Sequence, residues 1–175
     1  TFTDLSGCSP TSWSWSFPGG SPSSYSGQTP PAVTYATAGT YNVSLTVSKP
    51  GSNDTETKVS YITVNPPVYN MTNGSVTTCA GSFYDSGGPT GAYVNYEDFT
   101  FTFYPASPGA SIEVQFNSFN VESGYDYLYI YNGDNTSAPL IGTYTGSNSP
   151  GTILANNGSG ALTFRFTSDY IVTAA

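Results

Sequence analysis

Apolar and polar residues alternate with a period of two along most of the chain, and no segment of useful length repeats at the helical period. In Tyr41–Val47 the apolar Tyr41, Val43, Leu45 and Val47 interleave with Asn42, Ser44 and Thr46, so one face of a strand is apolar and the other wet. The same pattern predicts strands over Thr1–Ser6, Ser12–Phe17, Val33–Tyr35, Tyr41–Ser48 and Lys58–Val64 in the first part of the chain. In the second part it predicts Gly81–Tyr84, Asp98–Tyr104, Ser111–Phe119, Tyr125–Tyr131, Leu140–Tyr144, Thr152–Leu154 and Ala161–Thr167. Pro18-Gly19-Gly20, Ala38-Gly39-Thr40 and the run Lys49 to Asp54 read as turns. Asn65-Pro66-Pro67 cannot continue a sheet ladder, which places a boundary there. The expectation is an all-β chain of two β-sandwich domains in tandem, over residues 1–65 and 71–175, joined by a proline-rich linker at 66–70.

Composition changes this picture mainly by exclusion. With 37% hydrophobic and 15% aromatic residues in 175, two small cores can be filled although only 8% of residues are charged. Net charge is −8 and the cations are Lys49, Lys58 and Arg165, a field that repels phosphate backbones and argues against nucleic-acid binding. No run of eighteen apolar residues exists, so no membrane insertion is expected. Six Asn-x-Ser/Thr sequons, at Asn42, Asn53, Asn70, Asn73, Asn135 and Asn157, are candidate glycosylation sites.

Eight of the eleven acids lie after residue 75, in a stretch whose one cation is Arg165. Asp126 stands out among them. In Tyr125–Tyr131 the four tyrosines share one face, so Asp126 shares the other with Leu128 and Ile130, on the core side. A carboxylate there needs a cation or several donors. Glu122 lies four residues earlier across a Ser123-Gly124 corner, which lets the two carboxylates converge, and a divalent ion would relieve their repulsion. Arg165 alternates against Leu162, Phe164 and Phe166 and so points outward, with Glu113 as its expected cross-strand partner. Asp85, Glu97 and Asp98 form a weaker acidic constellation, whose Asp85-Ser86-Gly87-Gly88 reads first as a turn. The outward Tyr125, Tyr127, Tyr129 and Tyr131 form a stripe suited either to contact with a domain, partner chain or sugar, or to ordinary cross-strand packing. Catalysis is not expected: histidine is absent, two cysteines cannot make a zinc site alone, and Glu122 and Asp126 share a corner instead of flanking a cleft.

Two resemblances rest on longer motifs. Trp13-Ser14-Trp15-Ser16-Phe17-Pro18-Gly19-Gly20, then Pro31, Thr34-Tyr35, Ala38-Gly39-Thr40-Tyr41 and Val43-Ser44-Leu45-Thr46-Val47, resemble a PKD domain, with its usual Phe-Gly-Asp-Gly turn replaced by Phe17-Pro18-Gly19-Gly20. Cys79-Ala80-Gly81, Tyr93, Phe119 to Gly133 with its Tyr125-Asp126-Tyr127-Leu128 core, and Leu162 to Asp169 resemble a CUB domain. The resemblance implies an Ig-like PKD sandwich followed by a jelly-roll-like CUB sandwich, each expected one strand short: before Thr1 in the first, after Ala175 in the second. It further implies a Ca2+ site in which Glu122, Asp126 and Asp169 supply carboxylates, Ile171 a backbone carbonyl, and Tyr93 orients the Glu. The loop from Glu122 to Asp126 is shorter than the family's, and Tyr170-Ile171 stands where polar residues are more usual. In the family Cys79 pairs with a cysteine of the last strand; here free thiols, bridges to another chain and a Cys8–Cys79 bridge stay open. Both domains are modules of extracellular association. A secreted or cell-surface structural or adhesive protein is expected, with protein partners, identical subunits joined by strand exchange into a layer or filament, or glycans. The alternative is an accessory module of a larger secreted protease or hydrolase.

Overall fold

The computed structural model describes residues 1–174. The chain divides into two compact units, Thr1–Pro66 and Pro67–Ala175, and both are β-sandwiches. Apart from one 3-10 turn at Gly88–Thr90, every regular element among the described residues is a strand.

In the first unit the alternation of Ser12–Phe17 produces strand β1, Ser12–Ser16, with Trp15 and Phe17 buried. β1 lies between β3 (Ser24–Ser26) and β5 (Gly39–Lys49), and β6 (Ser52–Val64) forms the far edge. Register puts Trp15 opposite Leu45 and Trp13 opposite Val47, so apolar residues line one side of the sheet. A two-stranded ribbon of β2 (Gly20–Ser21) and β4 (Thr34–Tyr35) adds Val33 and Tyr35 to the core of Trp15, Phe17 and Val43. β6 begins six residues before its expected start. The hairpin turns tightly at Pro50-Gly51, where Gly51 takes a φ of +81° that glycine alone adopts without strain, and Lys49 already pairs with Ser52. The register slips between Tyr41 and Val43, where Asn42 projects outward and accepts the Ser60 amide at 2.8 Å. Thr1–Ser6, expected as a strand, is irregular. Phe2 stacks on Trp15 and Phe17, and Asp4 accepts bonds from the Trp13 indole, Gln28 and the Ser6 amide, so side chains hold this segment in place of a ladder.

The second unit starts earlier than expected. Val68–Asn70, assigned from sequence to the linker, form strand β7, which pairs in parallel with β9 (Ser82–Tyr84). The main sheet runs β13 (Leu140–Tyr144), β12 (Tyr127–Tyr131), β15 (Leu162–Thr167), β10 (Asp98–Pro105) and β8 (Gly74–Thr78). The alternation does not predict β8, because Gly74–Thr78 carries a single strong apolar residue, Val76. The expected strand Ser111–Phe119 contracts to β11, Glu113–Gln115, paired with β14, Thr152–Leu154. Phe101, Phe103, Leu128, Ile130, Leu162, Phe164 and Phe166 project from the main sheet into one core, with Phe83 and Phe103 meeting edge to face at 4.9 Å. Burying such a side chain contributes roughly 1.5–3 kcal/mol. On the opposite side Arg165 pairs with Asp98 through two bonds of 2.8 Å, not with Glu113. Glu113 belongs to the β11–β14 ribbon, whereas Thr100, two residues from Asp98, lies directly across from Arg165.

Tyr127 pairs with Thr167, and Thr167 with Asp98, so the start of β12, the end of β15 and the start of β10 meet at one end of the sandwich.

Candidate metal centre

Three acids gather at that end. Asp126 immediately precedes β12 and Asp169 lies two residues beyond β15, so strand pairing alone brings them together. Glu122 reaches them across a turn closed by the Asp126 amide on the Glu122 carbonyl, 3.2 Å, with Gly124 at φ +81°. A residue with a Cβ would be strained at Gly124, so the corner depends on glycine. One carboxylate oxygen from each of Glu122, Asp126 and Asp169 lies within 4.8 Å of the others.

Their surroundings differ. Asp126 is fully buried, and Leu128 and Ile130 on its face of the strand are buried too. Its Oδ2 accepts the Tyr93 hydroxyl at 2.5 Å and its Oδ1 the Asp169 amide at 2.9 Å. Tyr93 is itself buried, and its hydroxyl oxygen accepts the amides of Glu122, 2.9 Å, and Ala174, 3.1 Å. Tyr93 thus holds the backbone of Glu122 and the carboxylate of Asp126. Asp169 Oδ1 accepts the Ile171 amide at 2.9 Å, which folds the segment after β15 around the carboxylate. Glu122 Oε2 is enclosed and has no partner among the described residues.

No cation of this unit balances the cluster, since Arg165 is its single Lys or Arg and is bound to Asp98. Two unit charges separated like Asp126 and Asp169 repel by roughly 3 kcal/mol at an effective dielectric constant near 20. Burial, then the charges of Asp169 and Asp126, push the Glu122 carboxyl above its ordinary range. Burial, then the bond to Asp126, push the Tyr93 hydroxyl up as well. Converging carboxylates and an enclosed oxygen without a donor make a donor set that fits a hard divalent cation.

The remaining sequence candidates lie elsewhere. Tyr127, Tyr129 and Tyr131 share the outer face of β12, with the Tyr127 and Tyr129 rings 6.1 Å apart and the Arg165 guanidinium 5.8 Å above the Tyr129 ring. Tyr125 precedes the strand and is exposed. Five of the sequon asparagines are exposed, whereas Asn157 is half-buried and its amide nitrogen donates to Asn132 Oδ1 and to the Ala161 carbonyl. Cys8 and Cys79 are free and exposed. Asp85 accepts backbone amides that close its turn, while Glu97 is buried. The sequence did not show the role of the Val94–Glu97 loop, which backs the cluster. The signal available was the parity of Glu97 with Phe99, Phe101 and Phe103, which places it on the core side.

The fold is that of an all-β sandwich with an acidic rim at one end. The CUB domain family model matches residues 72–175 and the PKD domain model residues 1–61. The chain belongs to the CUB domain family and carries a PKD domain ahead of its CUB domain. The chain is similar to cubilin of Homo sapiens, 34% identical over 100 aligned positions, a match that covers 51% of this chain and 3% of cubilin. It is also similar to cubilin of Canis lupus familiaris, 33% identical over 103 residues, 53% of this chain and 3% of that protein. Neuropilin-2 of Rattus norvegicus is 33% identical over 82 residues, 45% of this chain and 9% of that protein. The chain therefore spans a small fraction of the length of these relatives.

Proposed function

We propose that this chain is a non-catalytic extracellular binding module whose CUB domain holds a Ca2+ ion between Glu122, Asp126 and Asp169, and which engages a protein partner over the rim of that site. The observation that carries the reading is the convergence of the three carboxylates, one of which keeps an oxygen, Glu122 Oε2, without a partner among the described residues, with no basic side chain of the same unit to neutralise them. The bound ion would supply charge neutralisation and a rigid cross-link, with the Ile171 carbonyl as a further oxygen. Tyr93 holds Glu122 and Asp126 in place for it. Exposed Tyr96, Tyr125, Tyr170 and Ile171 lie on the segments that carry the site, which supports contact with a partner there.

Calcium at one hundred times its Kd stabilises the folded state by about 2.7 kcal/mol. Calorimetry should therefore show the CUB transition rise by roughly 10–20 °C over that in chelator, since about 1 kcal/mol moves a domain of this size by some 4–8 °C. Asp126→Ala should abolish the calcium response. Equal transitions in calcium and chelator, with no binding heat, would remove the reading.

A second reading, assembly of identical subunits by strand exchange, is supported by a groove of about 660 Å³ lined by both β9 and β11. Among the described residues each of these strands has a single ladder partner, β7 and β14, and an inserted strand would pair with both. Light scattering of the purified chain checks it: concentration-dependent association supports it, and a monomer at all concentrations refutes it.

A further inference from the structure

We infer that Glu97 is a positioning residue of the calcium site, an internal brace that shapes the Val94–Glu97 loop and through it fixes Asp169. Glu97 is 5% exposed, and with Asp126 it is one of two acids buried among the described residues. It is not a member of the three-acid cluster. Its Oε1 accepts the Ser86 hydroxyl and, at 3.2 Å, the Val94 amide, so the carboxylate ties both ends of the segment 86–97 together. Its Oε2 is enclosed without a partner among the described residues. A buried acid on the core side is an expensive choice for a loop that only needs closing.

What the carboxylate shapes is a clasp. The Glu97 amide donates to Ser168 Oγ, the Ser168 amide donates to the Glu97 carbonyl, and Ser168 Oγ donates to the Val94 carbonyl. The Tyr96 amide donates to the Asp169 carbonyl at 2.7 Å, and Asn95 Nδ2 to the Tyr170 carbonyl at 3.0 Å. Tyr96 is held at φ +63°, a conformation costly for a tyrosine, which the clasp imposes. Residues 168–170 lie beyond the end of β15, so these bonds replace the ladder that would otherwise hold them. Asp169 is gripped from one side by Asp126 and from the other by this loop. Tyr93, which carries Asp126 and the Glu122 amide, is the residue just before the loop. One carboxylate outside the three-acid cluster therefore sets the position of Asp169 through the loop it shapes, and that of Tyr93 through its neighbour Val94.

The affinity part of this inference rests on the calcium reading; the clasp itself does not. The experiment is hydrogen exchange on the metal-free chain together with calcium titration calorimetry, on the wild type, Glu97→Ala, Glu97→Gln and Ser86→Ala. In Glu97→Ala the Tyr96 and Ser168 amides should exchange at least about tenfold faster, while Leu128 and Phe164 amides keep their protection. The calcium Kd should rise by about 10- to 100-fold, the usual effect of losing a group that orients a ligand. Glu97→Gln keeps the acceptor for Ser86 and Val94 and should restore affinity to within about threefold. Ser86→Ala leaves the core intact and should move exchange and Kd in the same direction as Glu97→Ala, which keeps the test alive if Glu97→Ala does not fold. Unchanged exchange at Tyr96 and Ser168, or wild-type affinity in a folded Glu97→Ala, overturns the brace. A wild type that binds no calcium overturns the calcium reading, and the exchange rates still decide the clasp.

Discussion

Replacing Tyr93 with phenylalanine removes one oxygen from a site where it has three partners. The hydroxyl donates to Asp126 Oδ2 and accepts the amides of Glu122 and Ala174. In Tyr93→Phe a fully buried carboxylate oxygen loses its bond, as do two part-buried amides that solvent can partly satisfy, at a cost of up to about 1–3 kcal/mol each. Phenylalanine is easier to bury than tyrosine, which offsets some of this. A net loss of about 2–3 kcal/mol is expected in the metal-free chain, with a transition lowered by roughly 10–20 °C. The probe must report the correct unit. Trp13 and Trp15 both lie in the first unit and eleven of the fifteen tyrosines in the second, so tryptophan fluorescence tracks the PKD domain and near-ultraviolet tyrosine dichroism the CUB domain. The tyrosine transition should drop while the tryptophan transition stays. A tyrosine transition within about 0.5 kcal/mol of wild type would refute the claim that this hydroxyl holds the acidic rim.

Two further outcomes are expected. The Glu122 carboxyl is pushed above its ordinary value by burial and by two neighbouring anions. A raised acid favours the folded state below its unfolded value, and that contribution disappears as pH rises through the folded value. Without calcium the CUB transition should therefore fall as pH climbs from about 4.5 towards neutrality, calcium should reverse the fall, and Glu122→Gln should flatten it; a wild-type profile identical to that of Glu122→Gln would show that Glu122 is not strained. By contrast, Asp98→Ala removes an ion pair at the surface and should cost less than about 1 kcal/mol, measured by denaturant unfolding; a loss above about 2 kcal/mol would mean the pair does more than bridge β10 and β15.

Side-chain parity carried most of what the sequence disclosed. Asp126 could be placed on the core side because Leu128 and Ile130 share its phase, and a proline pair marked the break between the units. Parity failed where pairing is set by distant partners. Val68–Asn70 and Gly74–Thr78 are strands because β9 and β10 recruit them, a tertiary cause that leaves little local pattern. Thr1–Ser6 has the alternation of a strand and no ladder, because its side chains are already engaged with Trp13, Trp15 and Phe17. The acids of the rim were legible from motif and spacing. The supports were not: the bonds that tie Tyr93 and the Val94–Glu97 loop to residues 168–174 join positions more than seventy apart, and only the folded backbone brings them within reach.

The stretch from Ser168 to Ala174 is fastened by isolated bonds to Tyr93, Asp126 and the Val94–Glu97 loop and forms no strand. Such fastenings open one at a time under tension, whereas a sheet must shear several together. A pull applied at Ala174 would first strip the Tyr93 hydroxyl of a donor and then peel Asp169 away, dismantling the rim before the sandwich yields. With calcium bound as proposed, load on this segment would release the ion.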